Sequence, residues 1–173
     1  MCIRDRPITF AKRRLKDRED AVFLPVDFRY YSEVSEKAMD IMRGYADIFE
    51  YVGRDEAYLD VTDRVECDFK RAGHLAQQIK NAVRHRAGIS CSVGISPNKM
   101  VSKIASDFQK PDGITVVRPD GMDEFLGPLK IRAIPGIGKK TEKRLLEMGL
   151  ETCLLYTSPS PRDRTRSRMP SSA

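Results

Sequence analysis

The chain has 173 residues, of which 31 are Lys or Arg and 25 Asp or Glu, with a formal net charge of +6 and 40% hydrophobic residues. No apolar run approaches the ~20 residues that a helical membrane span requires, which excludes that class. Its four cysteines follow neither a zinc-site spacing nor a disulfide framework, so a reducing compartment, the cytoplasm, is expected.

Both ends read as foreign to the rest. Met1–Arg6 (Met-Cys-Ile-Arg-Asp-Arg) is what ATG TGT ATA AGA GAC AG encodes, which resembles a transposon end used in sequencing libraries. Cys153–Asp163 is what the same element encodes in the opposite orientation with its adapter, and Ser167–Ala173 continues like a flow-cell adapter. Residues 1–6 and 153–173 are therefore expected to be adapter-derived, the latter disordered; a natural basic, Ser/Pro-rich tail is the alternative. Setting such scars aside removes six Arg and two Asp, leaving 25 basic and 23 acidic residues. The overall basicity then says little about nucleic acid, and such a case has to come from where charges sit.

Pro7–Arg18 is basic and partly helical in pattern, with Ile8, Ala11 and Leu15 on one side, and Ala21–Pro25 is a short apolar run closed by proline, a strand or an extended connection. Tyr30, Val34, Ala38, Ile41, Met42 and Tyr45 recur at helical spacing, predicting an amphipathic helix over Phe28–Ala46. Ile48–Val52 and the alternating Ala57–Thr62 predict two strands of a hairpin, connected through Gly53-Arg54-Asp55-Glu56. Asp68–Arg86 reads as a helix with Phe69, Ala72, Ala76, Ile79 and Val83 inward and Lys70, Arg71, Lys80, Arg84 and Arg86 outward, stopped by Gly88. Ile89–Ile95 alternates again, with a small face of Ser90, Ser92 and Gly94 that admits a close backbone, a substrate or an overlying helix.

Ser96-Pro97 predicts the start of a third helix, Ser as N-cap and Pro in the first position. Met100, Val101, Ile104, Ala105 and Phe108 face the sheet, while Lys99, Lys103, Ser106 and Lys110 form one stripe. Lys110-Pro111-Asp112-Gly113 is a turn signature, Ile114–Val117 a further strand, and Met122–Leu129 a short helix. Ile131–Gly138 then leads into a helix over Lys139–Met148. Strands alternating with long helices on one face predict an α+β sheet layer.

Three places carry possible chemistry. Asp55 and Glu56 stand together at the mouth of a strand, and paired carboxylates suit Mg²⁺, a hard cation held by one or two carboxylates plus substrate phosphates. Adjacent acids at a turn are also commonly just solvated, and strand neighbours point to opposite faces. The lysine stripe fits bound phosphate or a solvated helix face. Pro135-Gly136-Ile137-Gly138-Lys139-Lys140 places glycines, which let a backbone approach closely, before a helix N-terminus with unpaired N–H groups; a plain structural turn is the other reading.

Asp-Glu-Ala-Tyr-Leu-Asp at 55–60 resembles the palm signature of Y-family (DinB/UmuC-like) translesion DNA polymerases, although Gly53-Arg54 stand where that family more often has Ser-Ile or Ser-Val. Ser-Val-Gly-Ile-Ser-Pro-Asn-Lys, Lys-Ile-Ala-Ser-Asp, Lys-Pro-Asp-Gly and Pro-Gly-Ile-Gly follow in that family's order. The resemblance implies a ferredoxin-like palm sheet with helices on one face, then the start of a helical thumb with a helix-hairpin-helix motif. It divides the chain into the end of the fingers at 7–26, the palm at 27–117 and the start of the thumb at 118–152. Asp55 and Glu56 would be two of three acidic ligands of two catalytic Mg²⁺ ions, Lys110 and more weakly Lys103 would hold the triphosphate, and Pro135, Gly136, Ile137, Gly138, Lys139 and Lys140 would hold DNA. The partners implied are primer–template DNA, a deoxynucleoside triphosphate and a sliding clamp reached through segments outside this chain, with no membrane. The family's first strand, with the third aspartate, is expected before Pro7, so this polypeptide by itself is expected to be inactive. The rivals are a non-catalytic DNA-binding relative that keeps the fold and a repair protein that shares only the helix-hairpin-helix.

Overall fold

A computed structural model describes residues 7–153. The described helices and strands run α1 (Ile8–Arg14), α2 (Phe28–Arg43), β1 (Ile48–Gly53), β2 (Glu56–Asp60), α3 (Phe69–Ala87), β3 (Val93–Ile95), α4 (Lys99–Phe108), β4 (Ile114–Val116), α5 (Met122–Leu126) and α6 (Lys139–Glu147), with 3-10 turns at Pro119–Gly121 and Ile131–Ala133. Of the stretches expected to be adapter-derived, 1–6 and 153–173, residues 1–6 and 154–173 lie outside the described residues. Cys153 does not: it is fully buried, its N–H donates to Leu129 O at 2.9 Å and its Sγ to Lys130 O at 3.1 Å. Its small apolar side chain closes a core cluster.

Local chemistry sets the helix ends. The Asp27 carboxylate accepts from the Tyr30 N–H and starts α2, and Asp68 accepts from the N–H groups of Lys70 and Arg71 and starts α3. Gly88 stops α3 in the left-handed region, φ +72°, where glycine carries no Cβ penalty. The start of α4 differs from expectation. Its cap is Asn98, whose Oδ1 accepts from Val101 N at 2.9 Å, and Ser96-Pro97 lies outside the helix. Asn three residues ahead of an N–H makes the same bond as Ser, so two rival caps lay side by side and the later one won. Asn98→Ala should cost about 1 kcal/mol, read as a fall in the melting midpoint of a few degrees.

β1 and β2 form the expected antiparallel hairpin, with Phe49 opposite Leu59 and Glu50 opposite Tyr58, and a slip in register between Tyr51 and Gly53. Strand β3 is shorter than the predicted Ile89–Ile95 and pairs in parallel with β4, with α4 as the crossover. The described strands therefore lie in two two-stranded sheets, not in one continuous sheet. The small face of β3 is covered by α4: a Cβ on Gly94 would stand 2.0 Å from Ser102 O and 2.4 Å from Ser106 N.

Two apolar clusters hold these parts. Ile41, Ile79 and Val83 join α2 to α3, with Leu59 of the hairpin against them. Val101, Ile104, Ala105, Val117, Leu126, Ile131, Ile134 and Cys153 form the other, which ties α4 to the segment that leads into α6. Tyr30 and Lys80 depart from the predicted pattern. Tyr30 is exposed, and Lys80, expected outward, is buried.

Candidate functional site

The tip of the β1–β2 hairpin carries the acid pair. Asp55 is exposed in the turn and Glu56 is the half-buried first residue of β2, opposite Gly53. Helix α2 steadies this tip, since Ser35 Oγ donates to Arg54 O and the Arg54 guanidinium lies 5.7 Å from the centroid of the Phe28 ring. Glu56 and Tyr58 share one face of β2 by the two-residue period of a strand, with Glu50 across from Tyr58.

Helix α4 presents its lysines to that face. Lys103 Nζ pairs with Glu56 Oε1, and Lys99 pairs with Glu50 and lies 5.7 Å from the Tyr58 ring centroid. Burial is the largest influence on Lys103 and pulls its pKa down, but the hydrogen bond to Glu56 and the charge of Asp107 outweigh it and leave the ammonium more firmly protonated than usual. Lys103 Nζ also stands 4.0 Å from Asp107 Oδ2, and the other oxygen of Asp107 pairs with Lys110. A line of alternating charges thus runs Glu56, Lys103, Asp107, Lys110. Glu56 and Lys103 are brought into contact, Asp55 is exposed in the turn next to Glu56, and Lys110 joins through Asp107. Asp107, the last residue of the Lys-Ile-Ala-Ser-Asp segment, was given no role of its own from sequence. Its position four after Lys103 and three before Lys110 was the available signal.

Oxygen donors such as Asp55 and Glu56 suit a hard divalent cation. Among the described residues, no group of three or more His, Cys, Asp or Glu side chains converges to hold a metal. A cation held by Glu56 would contend with Lys103 for that carboxylate.

The second predicted site is laid out on α6. Ile134 is buried and Ile137 packs against the same cluster, which anchors the turn. Gly136 has φ +87°, a conformation that favours glycine, and a Cβ on Gly136 or Gly138 would meet nothing within 4 Å. Gly138 is the N-cap of α6 and supplies no side-chain cap, so the first N–H groups of the helix face outward with exposed Lys139 and Lys140 beside them. Such an end suits an anion.

Sequence and fold comparisons agree on where this arrangement belongs. Residues 6–107 match the impB/mucB/samB family model, and residues 119–150 match the model of that family's HHH motif. The chain belongs to the impB/mucB/samB family. It is 70% identical over 146 residues to a protein of Nitrosopumilus maritimus named DNA polymerase IV, covering 84% of this chain and 40% of that one. It is 52% identical over 131 residues to the DNA polymerase IV 2 of Methanosarcina mazei, covering 76% and 35%. Among solved structures, DinB from Sulfolobus solfataricus superposes with a TM-score of 0.80 at 34% identity over 92% of this chain and 46% of that one. A Dbh DNA polymerase solved as an insertion ternary complex gives 0.79 at 37% identity over 84% and 42%. The chain thus spans less than half the length of these relatives. The expected α+β palm followed by a helix-hairpin-helix is borne out, and the match over 6–107 sets aside a repair protein sharing only the latter motif.

Proposed function

We propose that this chain is part of a DNA-directed DNA polymerase that performs template-directed nucleotidyl transfer in translesion synthesis, with residues 7–26 the end of the fingers, 27–117 the palm and 118–152 the start of the thumb. The observation that carries this reading is the approach of the α4 lysines to the carboxylate face of the hairpin, Lys103 directly on Glu56 and Lys110 two charges further along. In this reading Asp55 and Glu56 hold Mg²⁺, which when bound supplies charge for the attacking and leaving oxygens of an in-line displacement. Lys103 and Lys110 exchange Glu56 and Asp107 for the phosphates of a deoxynucleoside triphosphate, since positioning and charge are most of what phosphoryl transfer asks of a protein. A cytoplasmic location and a sliding-clamp partner belong to the same reading of the whole protein.

Its test is a graft. Residues 7–152 in place of the matching segment of the Nitrosopumilus maritimus relative should leave primer extension intact, while the chain alone should extend no primer; a well-folded graft without activity would refute the assignment.

Primer–template DNA is held at Pro135–Lys140, by backbone N–H groups and lysines that touch phosphate and carry no sequence information. Gly138 has room for a methyl group in the chain itself, so Gly138→Ala should fold normally. It should nevertheless weaken duplex binding about equally for any sequence, by roughly 1 kcal/mol for a lost phosphate hydrogen bond. Fluorescence anisotropy on two unrelated duplexes checks both points, and unchanged affinity on both would remove the contact.

A further inference from the structure

Lys80 is the one buried charged side chain among the described residues, 7% exposed, on the inward face of α3 beside Ile79 and Val83. Its Nζ donates to the main-chain oxygen of Asp112 and pairs with Asp112 Oδ1 at 3.0 Å. Arg84, one helical turn further, takes the other carboxylate oxygen. Two cations of α3 thus grip one residue of the turn between α4 and β4.

The rest of that turn is equally fixed. Asp112 has φ +59°, which an aspartate tolerates better than most residues. A Cβ on Gly113 would stand 2.1 Å from Gln109 O, its N–H donates to Ser92 Oγ at 3.3 Å, and its O accepts from Val93 N at 3.0 Å. Lys110 is the side chain this turn presents, with its ammonium on Asp107 next to Lys103. A paired buried charge adds little net stability, because desolvation offsets the attraction, and an apolar side chain of similar size often replaces it at no loss. What the pair does fix is geometry.

We infer that Lys80 is a positioning residue for phosphate binding: with Arg84 it clamps Asp112, and so holds the 109–113 turn in the one conformation that sets the Lys110 ammonium in line with Lys103. The role rests on the reading of Lys110 as a phosphate-binding lysine. It places part of the triphosphate machinery on α3, behind the sheet and out of contact with any substrate.

Inorganic tripolyphosphate titrated at low ionic strength into the 173-residue chain, followed by NMR shifts, tests the inference. Lys110→Met should weaken binding by at least about tenfold, the loss of a charge-assisted hydrogen bond. Lys80→Met should weaken it by roughly three- to thirtyfold with an unchanged melting temperature, and Lys80→Arg, which keeps a charged donor, should recover part of the loss. A role in stability alone would instead lower the melting temperature and leave affinity as it was. Asp112→Asn, which keeps the left-handed turn, breaks the clamp from its other end and decides the matter should Lys80→Met fail to fold. Wild-type affinity in both Lys80→Met and Asp112→Asn while Lys110→Met binds weakly overturns the positioning role. Wild-type affinity in Lys110→Met removes the underlying reading of Lys110, and the clamp's purpose with it.

Discussion

Gly94→Ala should lower the melting temperature of this chain by roughly 10 °C, equivalent to about 3 kcal/mol, at the upper end of what overpacking costs. The added methyl would lie 2.0 Å from Ser102 O and 2.4 Å from Ser106 N. Both are backbone atoms of α4, so no rotamer change relieves the clash and the helix must lift off β3. Lys103 sits between those two residues, and lifting α4 carries its ammonium away from Glu56. Stability and site geometry therefore fail together. Gly73→Ala is the internal control. Its Cβ would meet only Val116 Cγ2 at 3.9 Å, and alanine in place of glycine within a helix is favourable by roughly 0.5–1 kcal/mol, so this variant should melt at or above the parent. Thermal unfolding of the two by circular dichroism checks the pair, and a Gly94→Ala protein that melts like the parent would contradict the packing of α4 on β3.

Periodicity carried most of the elements. The stripes of α3 and α4 and the two-residue alternation of the hairpin are decided by which side chains need burial, and a short window contains that information. Lys80 shows where such reasoning stops. Helical spacing places it at the rim of the apolar face, and the usual cost of burying an ammonium sends it outward. Asp112, 32 positions later and brought back by the β3–α4–β4 crossover, reverses that preference, and nothing local announces it. The division into two sheets has the same origin, because the edge a strand pairs with is a property of the assembled layer. Gly94 stands between these cases: the small face of β3 was visible, and the structure selects the overlying helix α4 among the things it could admit. Of the acid and lysine residues, Glu56 and Lys103 are in direct contact, which the roles implied by the resemblance did not include, and Lys110 joins them through Asp107, whose spacing from both lysines was readable.

In the graft carrying residues 7–152, Asp55→Asn should reduce primer extension by roughly 10³-fold, since charge stabilisation by a catalytic cation is worth several kcal/mol and each 1.36 kcal/mol is tenfold in rate. Asparagine keeps the size of the side chain and the turn, so the fold should hold. What is lost is one negative oxygen donor at an exposed position, without an ion-pair partner among the described residues. Glu56→Gln removes the same kind of donor and also takes the charge from the partner of Lys103, whose remaining carboxylate among the described residues is Asp107 at 4.0 Å. Lys103→Met makes the converse change and frees Glu56. If the acids act as cation ligands, raising Mg²⁺ or substituting Mn²⁺ should recover part of the activity of Asp55→Asn, and Lys103→Met should need less Mg²⁺ for half-maximal rate even as its apparent affinity for nucleotide falls. A solvated, structural role for the pair predicts something else: near-parental rates in Asp55→Asn and no interplay between Mg²⁺ and position 103. Steady-state extension at varied Mg²⁺ separates the two, because only an acid that shares its charge between lysine and metal links those titrations.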